Sequence, residues 1–495
     1  MTRIFRNRSL CSAPYGVPLL ALTLSGCITL PDMQTSSLTQ YETALHSRAT
    51  IVANEPALAE SYPPSQWWEL FGDSTLTALE AEAVGSNLDL QAAVARIEES
   101  RAQLGLADSA RRPQIGANSA YSRSGLSEHS PMASLGAPTD ASSTWSLGLQ
   151  ASWELDLWGH LGYLSDSARA NLEASGYSKE AVMVSIGGDV ARTYLLLRGI
   201  QAQEKIVGQN RQIAKGLVEM AESREKNGVA TRFDATAARA ELARIDARQL
   251  QLEQQRYTLM NSLAMLLGKP PRELDARLAS AAMPAMPERL PVGVPSELAR
   301  NRPDILQSEA RLRAAVADIG AAKADFYPRI SLTGGLGVGA FEFSDLGSWD
   351  SRQFSVGPTL YLPIFQGGRL RSNLALTEAR HRLAAIAYQK TVLNAWHEVD
   401  NALTTYSTEL KRHEQLQLAL EQNQTALVVA QRSYQQGTAD FTSVLVAQRS
   451  LLSSQSELTE SATASALSVV SLYRALGGGW SSRLQPDAAP AGGPL

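Results

Sequence analysis

Residues 144–157 read TWSLGLQASWELDL. Trp145, Leu147, Leu149, Ala151, Trp153, Leu155 and Leu157 fall on one face, and Ser146, Gly148, Gln150, Ser152, Glu154 and Asp156 on the other. Period two with a single apolar face predicts a half-buried strand. Its partner is Gln114 to Ser122, after Pro113, and the Ser/Gly/Asp-rich stretch from Ser124 to Ser143 joins the two into a hairpin.

The same pattern returns. Phe354, Val356, Leu360, Leu362 and Ile364 alternate with Ser355, Gly357, Thr359 and Tyr361, preceded by Arg329 to Val338 after Pro328. Pro113 is answered by Pro328, Leu157-Trp158 by Ile364-Phe365, Gly228 by Gly437 and Phe233 by Phe441, at spacings of roughly 207 to 215 residues, far beyond the 20 to 50 of solenoid repeats. A duplicated half-domain therefore supplies four strands, expected at about 113–123, 144–157, 328–338 and 352–365. No stretch carries the roughly 20 apolar residues of a spanning helix, so any membrane crossing falls to these strands. An open four-stranded sheet in lipid leaves its edge N–H and C=O groups unpaired, and membrane barrels start at about eight strands. Three chains of four strands make twelve, which closes.

Long proline-free runs follow each hairpin. Helices are expected at 162–227 and 231–267, then 367–436 and 440–476. A run of about 65 residues spans on the order of 100 Å, against about 11 residues for a mean helix. Trp396, Val399, Leu403, Tyr406 and Leu410 keep a coiled-coil stagger, and Ile206, Ile213 and Met220 recur at seven. Further on, Leu420, Leu427 and Tyr434 hold one seam position and Gln417, Gln424 and Gln431 the other, a weak seam or ordinary solvated positions. Gly228 and Gly437 stop the long helices as C-caps, which makes two helical hairpins with tips far from the strands. Asp234, Asp440, Arg232 and Tyr434 lie at those tips as gate candidates, with helix capping the competing role for the acids.

The N-terminus is an export signal. Arg3, Arg6 and Arg8 precede an apolar Val17 to Leu24, and Leu24-Ser25-Gly26-Cys27 closes it as a bacterial lipoprotein signal does. Segment 1–26 is then removed, and Cys27 carries N-acyl and S-diacylglycerol lipid, palmitate included, as the chain's covalent modification in place of any cofactor. Loss of three arginines and no acids takes the net charge from −4 to −7. Cys11 leaves with the signal, so no internal disulfide remains. The remaining segments are a lipid-anchored 27–75, a first repeat over 76–268, a Pro-rich strap over 269–295, a second repeat over 296–477 and a flexible tail over 478–495.

Catalytic signals are weak. Gly335 to Ala340 echoes a dinucleotide fingerprint but no helix follows, Gly268-Lys269-Pro270 lacks the rest of a phosphate loop, and His397-Glu398 has no second histidine four residues on. The reading is a non-enzyme without a metal, and nothing is basic enough for nucleic acid.

The blocks Trp67-Trp68-Glu69-Leu70-Phe71-Gly72-Asp73, Arg302-Pro303-Asp304-Ile305 through Pro328-Arg329-Ile330-Ser331-Leu332, Glu154 to Gly159, and Tyr434 with Gly437 resemble the TolC-like outer membrane factors, in their NodT-type lipoprotein branch. The resemblance implies an α+β membrane protein: a homotrimer with a twelve-stranded outer-membrane β-barrel, four strands per chain, continuous with a periplasmic α-helical coiled-coil barrel. It implies a Gram-negative outer-membrane location with most of the mass in the periplasm. The partners it implies are a periplasmic adaptor (membrane fusion) protein and an RND-type inner-membrane transporter. The expected function is the outer-membrane channel of a tripartite multidrug efflux pump, a passive duct gated at its periplasmic tip. The rival readings are the outlet of a protein or peptide secretion system and a structural coiled-coil lipoprotein without a pore.

Overall fold

The computed structural model describes residues 58–59, 61, 64–292 and 302–478. The signal segment, Cys27, the end of the strap and the tail after residue 478 lie outside the described residues.

In chain order the elements are β1 (Leu58–Ala59), α1 (Ser74–Ser86), α2 (Leu88–Ser109), β2 (Gln114–Ser124), α3 (Pro131–Ser134), β3 (Ser142–Leu155), α4 (His160–Lys226), α5 (Arg232–Leu266), β4 (Leu290–Pro291), α6 (Pro303–Ala324), β5 (Arg329–Ala340), β6 (Arg352–Tyr361), α7 (Arg369–Gln435) and α8 (Phe441–Ala475). Two strands end earlier than expected. β3 stops at Leu155 because Asp156 turns to accept from the N–H groups of Leu161 at 3.0 Å and Gly162 at 2.7 Å, tying the start of α4 to the strand. β6 stops at Tyr361, short of the expected 365, and Pro363 beyond it has no N–H for a ladder.

The four long strands form one antiparallel sheet in the order β2-β3-β5-β6. The central pairing joins the two halves, with Trp145 opposite Ala340 and Leu155 opposite Ile330. β2 and β6 are its edges, each paired on one side only.

α4 and α7 have 67 residues each, about 100 Å of helix. Among the described residues no helix is apolar enough to cross a membrane. α4 packs along α2 and α6 near the sheet and along α5 and α8 beyond, and it also meets α1. α7, its repeat mate, packs among the described residues mainly along α6 and α8, and meets α4 at the tip. Gly320 allows the α6 crossing over α4, since a Cβ there would lie 2.7 Å from the Tyr163 ring.

Buried seams fall one residue from the expected ones in places. Val207, Ala214 and Ala221 are buried in α4, while Ile206, Ile213 and Met220 are half-buried. In α7, Leu427 and Tyr434 are buried as expected, but the alternating inner positions are Leu416, Asn423 and Ala430, leaving Gln417 and Gln424 exposed and Gln431 half-buried. The chain's own seam in α7 therefore contains no exposed-glutamine row; a 3.6-residue helix drifts against a seven-residue pattern.

The largest core lies where the two halves meet, midway between sheet and tips. Trp67 stacks on Tyr473 with ring centroids 5.3 Å apart, and Leu76, Leu79, Tyr194, Leu195 and Leu263 are fully buried beside them. Asn87 caps α2 through its Oδ1 and donates from Nδ2 to the Leu266 carbonyl at 2.8 Å, fastening α2 to the end of α5. Arg302 does the same for the second half: it clamps Asp304, donates from Nη1 to the Ala475 carbonyl at 2.8 Å and pairs with Glu398.

Candidate functional site

Two surfaces are candidates for function: the sheet and the helical tips. On the sheet the alternation sorts chemistry by face. Register places Ile115, Trp145, Leu147, Leu149, Trp153, Leu332, Leu336, Phe354 and Val356 on one side. Most of these apolar side chains are exposed in the single chain, Phe354 at 78 % and Val356 at 76 %. The ten steps from Trp145 to Leu155, at about 3.3 Å each and a tilt near 40°, make an apolar band about 25 Å tall, the height of an outer-membrane belt.

The opposite face is polar and nearly uncharged. Asn118, Ser146, Gln150, Gln353 and Ser355 surround a groove of about 270 Å³ floored by Gly148, Gly335 and Gly337. Gly148 and Gly337 pair directly, and a Cβ on Gly337 would lie 2.6 Å from the Leu147 carbonyl oxygen. Aromatic side chains mark both ends of the band. Trp145 contacts Tyr121 at 4.3 Å and Phe343 at 5.1 Å at the end away from the helices. At the helical end Trp158 stacks on Tyr327 at 5.0 Å and donates from Nε1 to the Pro328 carbonyl.

At the tips each long helix ends at its glycine, Gly228 with φ 69° and Gly437 with φ 75°, the left-handed backbone of a helix C-cap. Asp234 sits at the third position of α5 and completes a capping box with Thr231, its Oδ2 accepting from the Thr231 N–H at 3.2 Å. Asp440 is the N-cap of α8, yet its exposed carboxylate makes no capping bond. Arg232 is exposed at the start of α5. Tyr434 is only 5 % exposed, its ring between the Arg224 guanidinium and the Phe441 ring at 5.2 Å. Burial raises its phenol pKa, opposed by the Arg224 charge and reinforced by that of Asp234.

The four gate candidates thus divide. Tyr434 is an inner packing anchor, Asp234 a committed cap, and Asp440 and Arg232 are free to face other molecules. Arg224, which binds Tyr434, was not singled out by the sequence: a basic residue in the last turn of a helix reads as an ordinary dipole partner. The repeat is also broken here, because Phe441 is 3 % exposed while Phe233 is 69 % exposed.

A family model described as outer membrane efflux protein matches residues 79–269 and 294–478. The pyoverdine export outer membrane protein OpmQ of Pseudomonas putida is 32% identical over 477 residues, covering 96% of this chain and 98% of its own. The cation efflux system protein CusC of Escherichia coli K12 is 30% identical over 93% of this chain and 98% of its own. Among solved structures, the outer-membrane channel OprN superposes with a TM-score of 0.82 at 33% identity, covering 87% of this chain and 96% of that one.

Proposed function

The chain belongs to the outer membrane efflux protein family, and from that membership we propose that three copies close into a single exit duct, the outer-membrane channel of a tripartite efflux pump. The observation that carries the ring is its incompleteness in one chain. β2 and β6 are open edges, and with four alternating strands the β6 of one copy meets the β2 of the next antiparallel. The helical body is open as well: α4 packs along α6 and α8 of the other repeat, whereas among the described residues α7 has no comparable packing along α2 and α5. Leu376, Leu383 and Ile386 on α7 and Leu88, Val94 and Leu106 on α2 stay exposed in the single chain, apolar surface that a second copy would cover.

Twelve strands give a barrel with a lumen, its apolar belt toward lipid and its glycine-rich polar face toward water. The tunnel of α4, α5, α7 and α8 runs on through the periplasm of a Gram-negative cell, where a periplasmic adaptor meets the tips and an inner-membrane transporter, RND-type, supplies the energy. The duct itself is passive and performs no catalysis. Cys27 anchors the chain through its lipid. The cargo is a small toxic compound or drug; relatives of near-equal identity carry names as different as pyoverdine export and cation efflux, which fits a duct whose partner selects the cargo.

Single-channel recording of purified trimers in a planar bilayer tests this. A large pore, enlarged when the tips are loosened by substitution, is expected; no conductance even with loosened tips overturns the duct.

A further inference from the structure

The outward face of the sheet carries two arginines at its end farthest from the helices. Tyr121 shares a face with Trp145, which its ring touches, so Arg123 two residues on lies on that face too. Arg352 stands opposite Val338, which stands opposite Leu147, and so joins the same face. Both arginines are exposed. Arg352 donates to the Trp349 carbonyl at 2.6 Å and lies 4.3 Å over its indole, while among the described residues neither arginine has a carboxylate partner. The acids nearby in sequence, Glu128, Asp140, Glu342, Asp345 and Asp350, belong to the loops beyond the strand ends.

These residues occupy the two open edges, Arg123 near the end of β2 and Arg352 at the start of β6. The β3–β5 pairing is the chain's own example of a joint between hairpins. Carrying its register through the repeat spacing sets Arg123 of one copy opposite Phe354 or Val356 of the next. That is two or four positions from Arg352, roughly 7 to 14 Å along the strand. Each arginine reaches from an aromatic collar of Tyr121, Trp145, Phe343 and Trp349 that marks the edge of the apolar band.

We propose that each joint between copies holds the phosphate group of an outer-leaflet lipid headgroup between Arg352 of one copy and Arg123 of the next. This rests on the three-copy ring. Guanidinium groups pair with phosphate by parallel charged hydrogen bonds, and the neighbouring apolar belt receives the acyl chains. A cation left without a protein acid at the lipid–water boundary thereby gains its counter-ion from the lipid.

Native mass spectrometry of the full-length trimer, released from detergent after incubation with purified lipopolysaccharide or with its enzymatically dephosphorylated form, tests the site. Up to three phosphorylated lipids per trimer are expected, with dephosphorylated lipid binding weakly. R123Q/R352Q should bind roughly tenfold or more weakly, and R123K/R352K should recover part of the loss. Equal retention by the wild type and the glutamine variant, or equal retention of both lipid forms, overturns the site. Conductance of the glutamine variant separates this from the duct reading: a normal pore with unchanged lipid retention sinks the lipid site alone, whereas a wild type that forms neither trimer nor pore sinks the ring and the site together.

Discussion

The Arg224 guanidinium lies 4.4 Å over the Tyr434 ring, and its Nη1 donates to the Tyr434 carbonyl oxygen at 3.0 Å. One residue of α4 thus holds the last turn of α7 by both ring and backbone, and the two helical hairpins of a chain are joined at their tips through it. Arg224→Ala removes a charged hydrogen bond and a cation–π contact together worth about 2 kcal/mol. The expected outcome is a several-fold rise in single-channel conductance. Tyr434→Phe is the contrast, because the buried Tyr434 hydroxyl has no hydrogen-bond partner among the described residues. That variant should conduct as the wild type does and unfold at the same or a slightly higher temperature.

Asp234 and Asp440 occupy similar places in the two repeats and do different things. Asp234→Ala breaks the capping box and should cost about 1 kcal/mol of helix stability, read as a lower melting temperature. Asp440→Ala removes no capping bond. Raised conductance with an unshifted melting temperature is the expected result for a carboxylate facing its copies across the tip, and unchanged conductance would remove Asp440 from the gate.

The strands were legible because alternation from Trp145 to Leu155 has no helical reading, and the long helices because 67 residues without proline have no compact one. The buried stripe was less legible. Ile206 and Val207 are both apolar, and only the packing of neighbouring helices decides that Val207 faces inward. At the tip, Tyr434 stood out as an aromatic on a seam, whereas Arg224 did not, since its partner is a backbone carbonyl 210 residues away. Glu80 was invisible for the same reason: an acid in a helix reads as solvated until Trp67, Trp68 and Ile186 are placed around it.

Gly337 is where two strands come too close for a side chain. A Cβ there would approach the Leu147 carbonyl oxygen to 2.6 Å and the Gly148 Cα to 2.9 Å, and both are backbone atoms that cannot rotate away. Gly337→Ala should therefore open the central pairing between the halves, seen as loss of heat-modifiable trimers on a semi-native gel. Gly357→Ala, in open space on the neighbouring strand, should leave them intact. Trimers surviving both substitutions would show that this close pairing does not limit assembly.

Glu80 is 1 % exposed, and its Oε1 has no hydrogen-bond partner among the described residues, in a small pocket lined by Trp67, Trp68, Leu90, Ile186 and Gly187. Burial pushes its carboxyl pKa from 4.5 up to about 9, with a backbone hydrogen bond to Ala191 acting weakly against it. Below pH 4.5 the folded and unfolded chains both hold this proton and Glu80 has no effect on their balance. Between pH 4.5 and 9 the folded chain keeps a proton that the unfolded chain has released, so stability falls as pH rises, by at most about 1.4 kcal/mol per pH unit. Glu80→Gln keeps the shape and removes the titration. Its melting temperature should match the wild type near pH 4.5 and exceed it increasingly up to pH 8, where the gain reaches at most about 5 kcal/mol. A variant less stable than the wild type at pH 8 would mean that Glu80 is ionised and paired in the assembled protein.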